Sequence, residues 1–215
     1  MNNIRDIKEV KIKLVLLGAA NVGKTSIVTR YILSKYNDLS CSTIGAGFFT
    51  KSIYKNNKKY LFEIWDTAGQ ERYEALIPMY YRGTHIVFIV YDITNESTYK
   101  KAKWWIKHID EQLYIKPVFV LIGNKSDLDT KRKVIIEDVE YYINNNHNDI
   151  LFYETSAKNN TNIDNIYNDI IDIIDTKIFI DYIKKGTVDI HTSTHEGSIC
   201  CSTPVSIYNR YTNIN

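Results

Sequence analysis

Apolar positions along the chain alternate between two periods, and that alternation predicts an architecture. Runs at residues 10–17, 86–92 and 117–123 are almost continuously apolar and rich in Val and Ile, as strands buried on both faces are. Between and after them the spacing lengthens to the helical period: Ile27, Val28, Tyr31 and Ile32; then Ala102, Trp105, Ile106, Ile109 and Leu113; then residues 136–143; and finally Ile163, Ile166, Tyr167, Ile170, Ile171 and Ile174. Trp105 falls on its helix's apolar stripe and is expected in the core. Residues 48–54 and 59–66 read as strands joined through Lys55-Asn56-Asn57-Lys58, whose Asn pair suits a tight hairpin. A further strand is expected over 150–153, and a short irregular helix over 72–81, stopped near Gly83. Asn95 stands where a helix N-cap is needed. Strand followed by helix, repeated, predicts an α/β fold: a mostly parallel six-stranded sheet with one antiparallel edge strand and helices on both faces.

Periodicity ends near Gly186, where Ser and Thr accumulate. The expected organisation is one domain over residues 1–185 and a disordered tail over 186–215. With 27 Lys and Arg against 25 Asp and Glu, the net charge is +2, which excludes the basic field of a nucleic-acid binder. Three cysteines, Cys41 and the adjacent Cys200 and Cys201, offer neither a disulfide framework nor a metal-ligand spacing, so a reducing intracellular compartment is expected. The basic triplet Lys131-Arg132-Lys133 reads as a solvated loop.

Chemistry first appears where the opening strand meets its helix. Gly18-Ala19-Ala20-Asn21-Val22-Gly23-Lys24-Thr25-Ser26 contains the phosphate-binding pattern G-x-x-x-x-G-K-[ST] in the required context of strand, glycine loop and helix. Glycines let successive backbone N–H groups turn toward phosphate oxygens at a helix N-terminus, whose dipole favours negative charge. Lys24 adds a cation between β- and γ-phosphates, and the Thr25 hydroxyl is placed to ligate Mg²⁺. Asp66-Thr67-Ala68-Gly69-Gln70 puts a carboxylate and a glycine turn at the carboxyl end of a strand, where open α/β sheets bind ligands. Asn124-Lys125-Ser126-Asp127 and Thr155-Ser156-Ala157-Lys158 follow two later strands. A carboxylate at Asp127 matches the paired donors of guanine's N1–H and exocyclic amine, which adenine lacks on that edge.

These four motifs, in this order, resemble a small GTPase of the Ras superfamily with the P-loop NTPase small G domain, over roughly residues 8 to 180. Ser42-Thr43-Ile44-Gly45-Ala46, the run Trp65-Asp66-Thr67-Ala68-Gly69-Gln70-Glu71-Arg72-Tyr73, Pro78-Met79-Tyr80-Tyr81-Arg82-Gly83 and Tyr91-Asp92-Ile93-Thr94-Asn95-Glu96 place the resemblance in the Rab branch, nearest the early-endosomal, number-five type. The resemblance implies a GTP/GDP switch with Mg²⁺. Thr25, Thr43 and Asp66 would hold the metal, Gln70 would orient the attacking water beside Lys24 and Thr43, and Gly69 would respond to the γ-phosphate. Asn124 and Lys125 would hold the base by hydrogen bonding and by the lysine stem, Tyr36 would pack on it, and the Ala157 N–H would meet guanine O6 between Ser156 and Lys158. Ala20 would lie close to the γ-phosphate. Neither Arg30 nor Arg72 stands where an arginine finger would, so slow intrinsic hydrolysis and stimulation by a GTPase-activating protein (GAP) are expected. Phe48, Trp65 and Tyr80 match an aromatic trio that presents the nucleotide state to effectors, alongside exchange factor (GEF), GAP and escort protein (GDI).

Such proteins work in vesicle transport on the cytosolic face of endosomal membranes, held by lipid or by partners. Here Cys200 and Cys201 are followed by Ser202 to Asn215, unlike the usual prenylated end, and Asn2 is not a myristoylation site. S-acylation of the pair, a gene end near Cys201, and attachment through partners alone stay open. So do two other functions: a different P-loop ATPase or kinase, and a nucleotide-holding scaffold with negligible hydrolysis.

Overall fold

The computed structural model describes residues 8–37, 42–146 and 149–175. The expected tail, with Cys200 and Cys201, lies outside these residues. In chain order the elements are β1 (Lys8–Leu17), α1 (Lys24–Leu33), β2 (Ala46–Lys55), β3 (Lys58–Thr67), a 3-10 turn (Glu71–Leu76) running into the short α2 (Ile77–Tyr81), β4 (Ile86–Asp92) and α3 (Glu96–Gln112). Then come β5 (Val118–Asn124), a second 3-10 turn (Ser126–Lys131), α4 (Ile136–Asn146), β6 (Leu151–Thr155) and α5 (Ile163–Asp175). The strands form one sheet in the order β2-β3-β1-β4-β5-β6, parallel except for the antiparallel β2–β3 pair.

The expected sheet is therefore present, with strand ends moved by one or two residues. Asn56 and Asn57 both take positive φ, 53° and 58°, as the two central residues of a tight hairpin must. The Asn95 carboxamide caps α3 by accepting from the Ser97 N–H at 3.1 Å. Strand alternation divides the apolar side chains between two cores. Ile12, Leu14, Leu16, Phe88 and Ile122 face α1 and α5, while Val15, Leu17, Ile89 and Leu121 on the other face meet α4 and α3, whose Trp105 is buried there as expected. All six apolar residues read on the last helix are buried, and at about 1.5–3 kcal/mol per fully buried large side chain they anchor α5 to the sheet.

One layer of the structure departs from the sequence reading. The triplet at 131–133 is not simply solvated: Lys131 and Lys133 are exposed, but Arg132 points inward. Its guanidinium makes a bidentate pair with Glu154 at 2.6 and 2.8 Å and also meets Asp129 at 2.8 Å. A charge run says what is basic; it does not say which member has a carboxylate waiting 22 residues on.

Candidate nucleotide site

All five parallel strands send their carboxyl ends to one edge of the sheet, and β1, β3, β5 and β6 run into residues that line the cleft there. After β1, the loop turns at Gly23, whose φ of 97° is a left-handed conformation natural to glycine. A side chain there would also collide with the Asn124 carboxamide nitrogen. Gly23 is the N-cap of α1 and offers no side-chain cap, so the first N–H groups of the helix are left for a ligand.

Lys24, 5 % exposed, donates to the Gly18 and Ala19 carbonyls at 2.9 and 2.8 Å. Burial lowers its ammonium to about 8 against the opposing pull of Asp66. Next to it, the Thr25 hydroxyl donates to Asp66 Oδ2 at 2.6 Å and lies 2.8 Å from the Thr43 hydroxyl. Since Thr25 spends its one proton on the carboxylate, Thr43 is the donor in the second contact. Asp66 is 1 % exposed and its Oδ1 has no hydrogen-bond partner. Burial raises its carboxyl, opposed by the Thr25 hydrogen bond and by Lys24. Three hard oxygens thus converge on one point with a buried lone pair left over, a donor set suited to Mg²⁺.

Gln70 follows β3 with an extended backbone, φ −82° and ψ 140°, and its carbonyl accepts from the Tyr73 N–H at 3.0 Å. The Ala68 N–H donates to the Gly45 carbonyl at 2.8 Å, so the segment carrying Thr43 and the turn carrying Gln70 are tied directly.

At the other end of the cleft, Asp127 accepts from the Ser156 hydroxyl at 2.5 Å. Lys125 takes a left-handed φ of 71°, and its ammonium meets Asp92 at 2.6 Å. Burial alone would raise the Asp92 carboxyl, but hydrogen bonds from Lys125 and Thr94 hold it below its ordinary value. Asn124, expected against the base, lines the cleft and also braces the protein: at 2 % exposure its amide nitrogen donates to the Val22 carbonyl at 2.8 Å, and its oxygen accepts from the Thr155 hydroxyl and the Ala157 N–H at 3.1 and 3.3 Å.

Between these ends lies a cleft of about 380 Å³ lined by Ala20, Asn21, Gly23, Lys24, Thr25, Ser26, Tyr36, Thr43, Gly69, Gln70, Asn124, Lys125, Asp127, Ala157 and Lys158, all expected from sequence, together with Asn37, Ser42 and Leu128, which were not. Gly18, Val22, Asp66 and Ser156 stand behind this lining and hold it. Asp92 and Arg132 were also missed as supports, because only the strand order brings them near. Outside the cleft, Phe48 and Trp65 pair across β2 and β3 with ring centroids 4.9 Å apart, and Tyr80 continues the row at 5.5 Å from Trp65. Phe48 is 51 % exposed, whereas Trp65 and Tyr80 are half-buried and pack against the second core, so the row runs from surface to core.

Strand order, glycine loop and cleft together define a P-loop nucleotide-binding G domain. The chain belongs to the Ras family of small GTPases, whose family model matches residues 13–176, and as a member of its Rab branch it hydrolyses GTP. It is similar to two proteins of Arabidopsis thaliana, Ras-related protein RABF2b and Ras-related protein RABF2a. Each is 45% identical over 163 residues, which cover 76% of this chain and 80% of the relative. Ras-family proteins bind GTP and GDP with Mg²⁺. No helix among the described residues is long and apolar enough to cross a membrane.

Proposed function

We propose that this chain is a guanine-nucleotide switch of vesicle transport that acts on the cytosolic face of early endosomes, and that the residues of the cleft divide its work as follows. Asp127 accepts from guanine N1–H and the exocyclic amine, the Ala157 N–H, only loosely held by the Asn124 oxygen at 3.3 Å, shifts to O6, and the Lys125 stem and Tyr36 pack on the ring. Lys24 and the backbone of residues 20–25 hold the phosphates. Thr25, Thr43 and Asp66 would hold Mg²⁺, which would supply neutralisation of phosphate charge. Gln70 orients the water. The reading is carried by the convergence of Thr25, Thr43 and Asp66, since Thr43 comes from a different segment and reaches the cleft only if that segment is folded over it.

Arg30 is spent on backbone carbonyls and Arg72 lies over the Tyr73 ring, 5.0 Å from its centroid. Neither points to a γ-phosphate, so a GAP supplies the arginine in trans and accelerates hydrolysis by roughly 10³–10⁵. Loss of the γ-phosphate releases Thr43 and the Gly69 turn, and the Phe48-Trp65-Tyr80 row beside them reports the change to effectors. GEF and GDI act on the same switch, and membrane contact comes through lipid, with Cys200 and Cys201 as acceptors, or through partners. The domain occupies residues 1–185 and the tail 186–215.

Phosphate release from GTP-loaded protein, with GTP/ATP competition alongside, tests the assignments. Gln70→Leu is expected to remain GTP-loaded, and Asp127→Asn to lose its preference for GTP over ATP. Unchanged phosphate release in the first, or an unchanged competition ratio in the second, contradicts the role concerned.

A further inference from the structure

Arg30, half-buried on α1, makes three hydrogen bonds to backbone carbonyls and none to a carboxylate among the described residues. Its Nη1 donates to Ser34 at 3.0 Å, at the left-handed end of its own helix, while Nε and Nη2 each donate at 2.8 Å to the consecutive carbonyls of Ala157 and Lys158, more than 120 residues away. Its Cζ also lies 5.9 Å from the centroid of the Tyr36 ring. Capping a helix end requires only the first of these contacts. What the planar guanidinium adds is reach from three separate nitrogens, so that one side chain holds both carbonyls of the distant loop and the end of its own helix at once.

The peptide unit turns those two bonds into an orientation. A trans peptide points its C=O and its N–H in opposite directions. Holding the Ala157 carbonyl toward α1 therefore aims the Lys158 N–H away from α1, and holding the Lys158 carbonyl does the same for the Asn159 N–H. The latter is seen: Asn159 N–H donates to Ser156 Oγ at 3.0 Å, and that hydroxyl in turn donates to Asp127. Ala157 and Lys158 both line the cleft.

We propose that Arg30 is a positioning residue for guanine: from the far side of the loop it fixes the peptide joining residues 157 and 158 so that the Lys158 N–H faces the base edge carrying O6, and it thereby sets how long nucleotide stays bound. The same guanidinium ties that loop to the end of α1 and lies beside the Tyr36 ring, so the base loop and the end of α1 share one joint. The proposal rests on the base-site reading of Asp127 and Ala157 given above.

The test is the dissociation rate of fluorescent GDP, with Mg²⁺ held constant, from full-length wild type, Arg30→Met, Arg30→Lys and Asp127→Asn. Arg30→Met keeps the stem and is expected to release GDP about tenfold faster, the scale of losing charge-assisted hydrogen bonds. Arg30→Lys should fall between it and wild type. The measurement is repeated with 6-thio-GDP, whose sulfur is a poor acceptor at the position of O6. If Arg30 acts through the O6-facing loop, the ratio of Arg30→Met to wild-type rates shrinks to near unity with this ligand. A loss of general rigidity would accelerate both ligands equally and overturns the proposal, as does a GDP rate within twofold of wild type in Arg30→Met while Asp127→Asn is fast. An unaltered rate in Asp127→Asn overturns the base-site reading itself.

Discussion

Replacing Asn124 with Ala separates two roles that the same side chain could play. The carboxamide satisfies three protein groups: the Val22 carbonyl in the phosphate loop, the Thr155 hydroxyl, and the Ala157 N–H. All of this lies in a site where Asn124 is 2 % exposed, so water does not simply replace the lost partners. At about 1 kcal/mol per hydrogen bond, with a further penalty for each buried group left unpaired, the truncation costs about 3 kcal/mol. For a domain of this size that corresponds to a fall in Tm of about 6–12 °C. Urea unfolding at several GDP concentrations, extrapolated to zero GDP, measures it, because bound ligand stabilises the folded state by mass action and contributes unequally once the affinities differ. The expected result is a lower midpoint at unchanged slope, with GTP and ATP affinity reduced by similar factors, since the brace serves the phosphate loop as much as the base loop. A loss below about 1 kcal/mol accompanied by a selective drop in GTP over ATP would refute the brace and restore Asn124 as a direct base contact.

Arg132→Met leaves Glu154 with 17% side-chain exposure and no guanidinium, and is expected to cost about 2 kcal/mol in urea unfolding; Asp129→Ala, at an ion pair whose carboxylate is 73% exposed, should cost at most about 0.5 kcal/mol. Equal losses would show that the buried pair is not the brace it appears from its geometry. His85 accepts the Lys13 N–H on Nδ1 at 2.9 Å, which requires neutral imidazole, and burial together with Lys13 holds its pKa below the ordinary 6.5. Below 6.5 the unfolded chain binds a proton that the folded chain resists, so stability falls as pH drops from there toward the folded value. His85→Asn should flatten that part of the stability profile, and an unaltered profile would remove His85 as its source. Gly69→Ala would put a Cβ 2.5 Å from Lys24 Nζ and against the Ala19 backbone; the turn must move away, and single-turnover hydrolysis is expected to fall by about tenfold or more, whereas an unchanged rate would show that the turn need not approach the phosphate loop.

What the sequence made legible follows from how local each signal is. The buried strands, the six-residue apolar face of α5, the Asn56-Asn57 hairpin and the Asn95 cap are all decided by residues within a turn or two of one another, and each appears where expected. The phosphate loop is equally local, since strand, glycines, lysine and threonine are contiguous. The supports were not legible. Asn124 reaches Val22, Lys125 reaches Asp92, and Arg132 reaches Glu154 only because β5 lies between β4 and β6 and beside the phosphate loop, and periodicity within one segment does not encode the order of segments. Arg132 shows the cost of reading composition alone, for its two lysine neighbours are exposed as a charge run predicts while it is not.

These supports also explain why a change at the phosphates would be felt at one end of the cleft and not the other. Around the base, the lining is fixed by bonds from protein to protein: Asn124 to three partners, Lys125 to Asp92, Arg132 to Glu154, Arg30 to two carbonyls. None of them involves a group that a phosphate or metal would claim. At the phosphate end the opposite holds. Lys24 rests on the Gly18 and Ala19 carbonyls, and Thr43 reaches the site through the Thr25 hydroxyl alone among the bonds described for its side chain. Thr43, with that single side-chain bond, is the group whose position depends on what it binds. Thr43 leads directly to Ile44, 80 % exposed, and through the Gly45–Ala68 hydrogen bond to the Gln70 turn, with Phe48 and Trp65 next along β2 and β3. A rigid base end and a yielding phosphate end place the movable surface where the γ-phosphate comes and goes, so exposure of Phe48 and Trp65 should differ between GTP and GDP while the environment of Tyr153 behind the base loop does not.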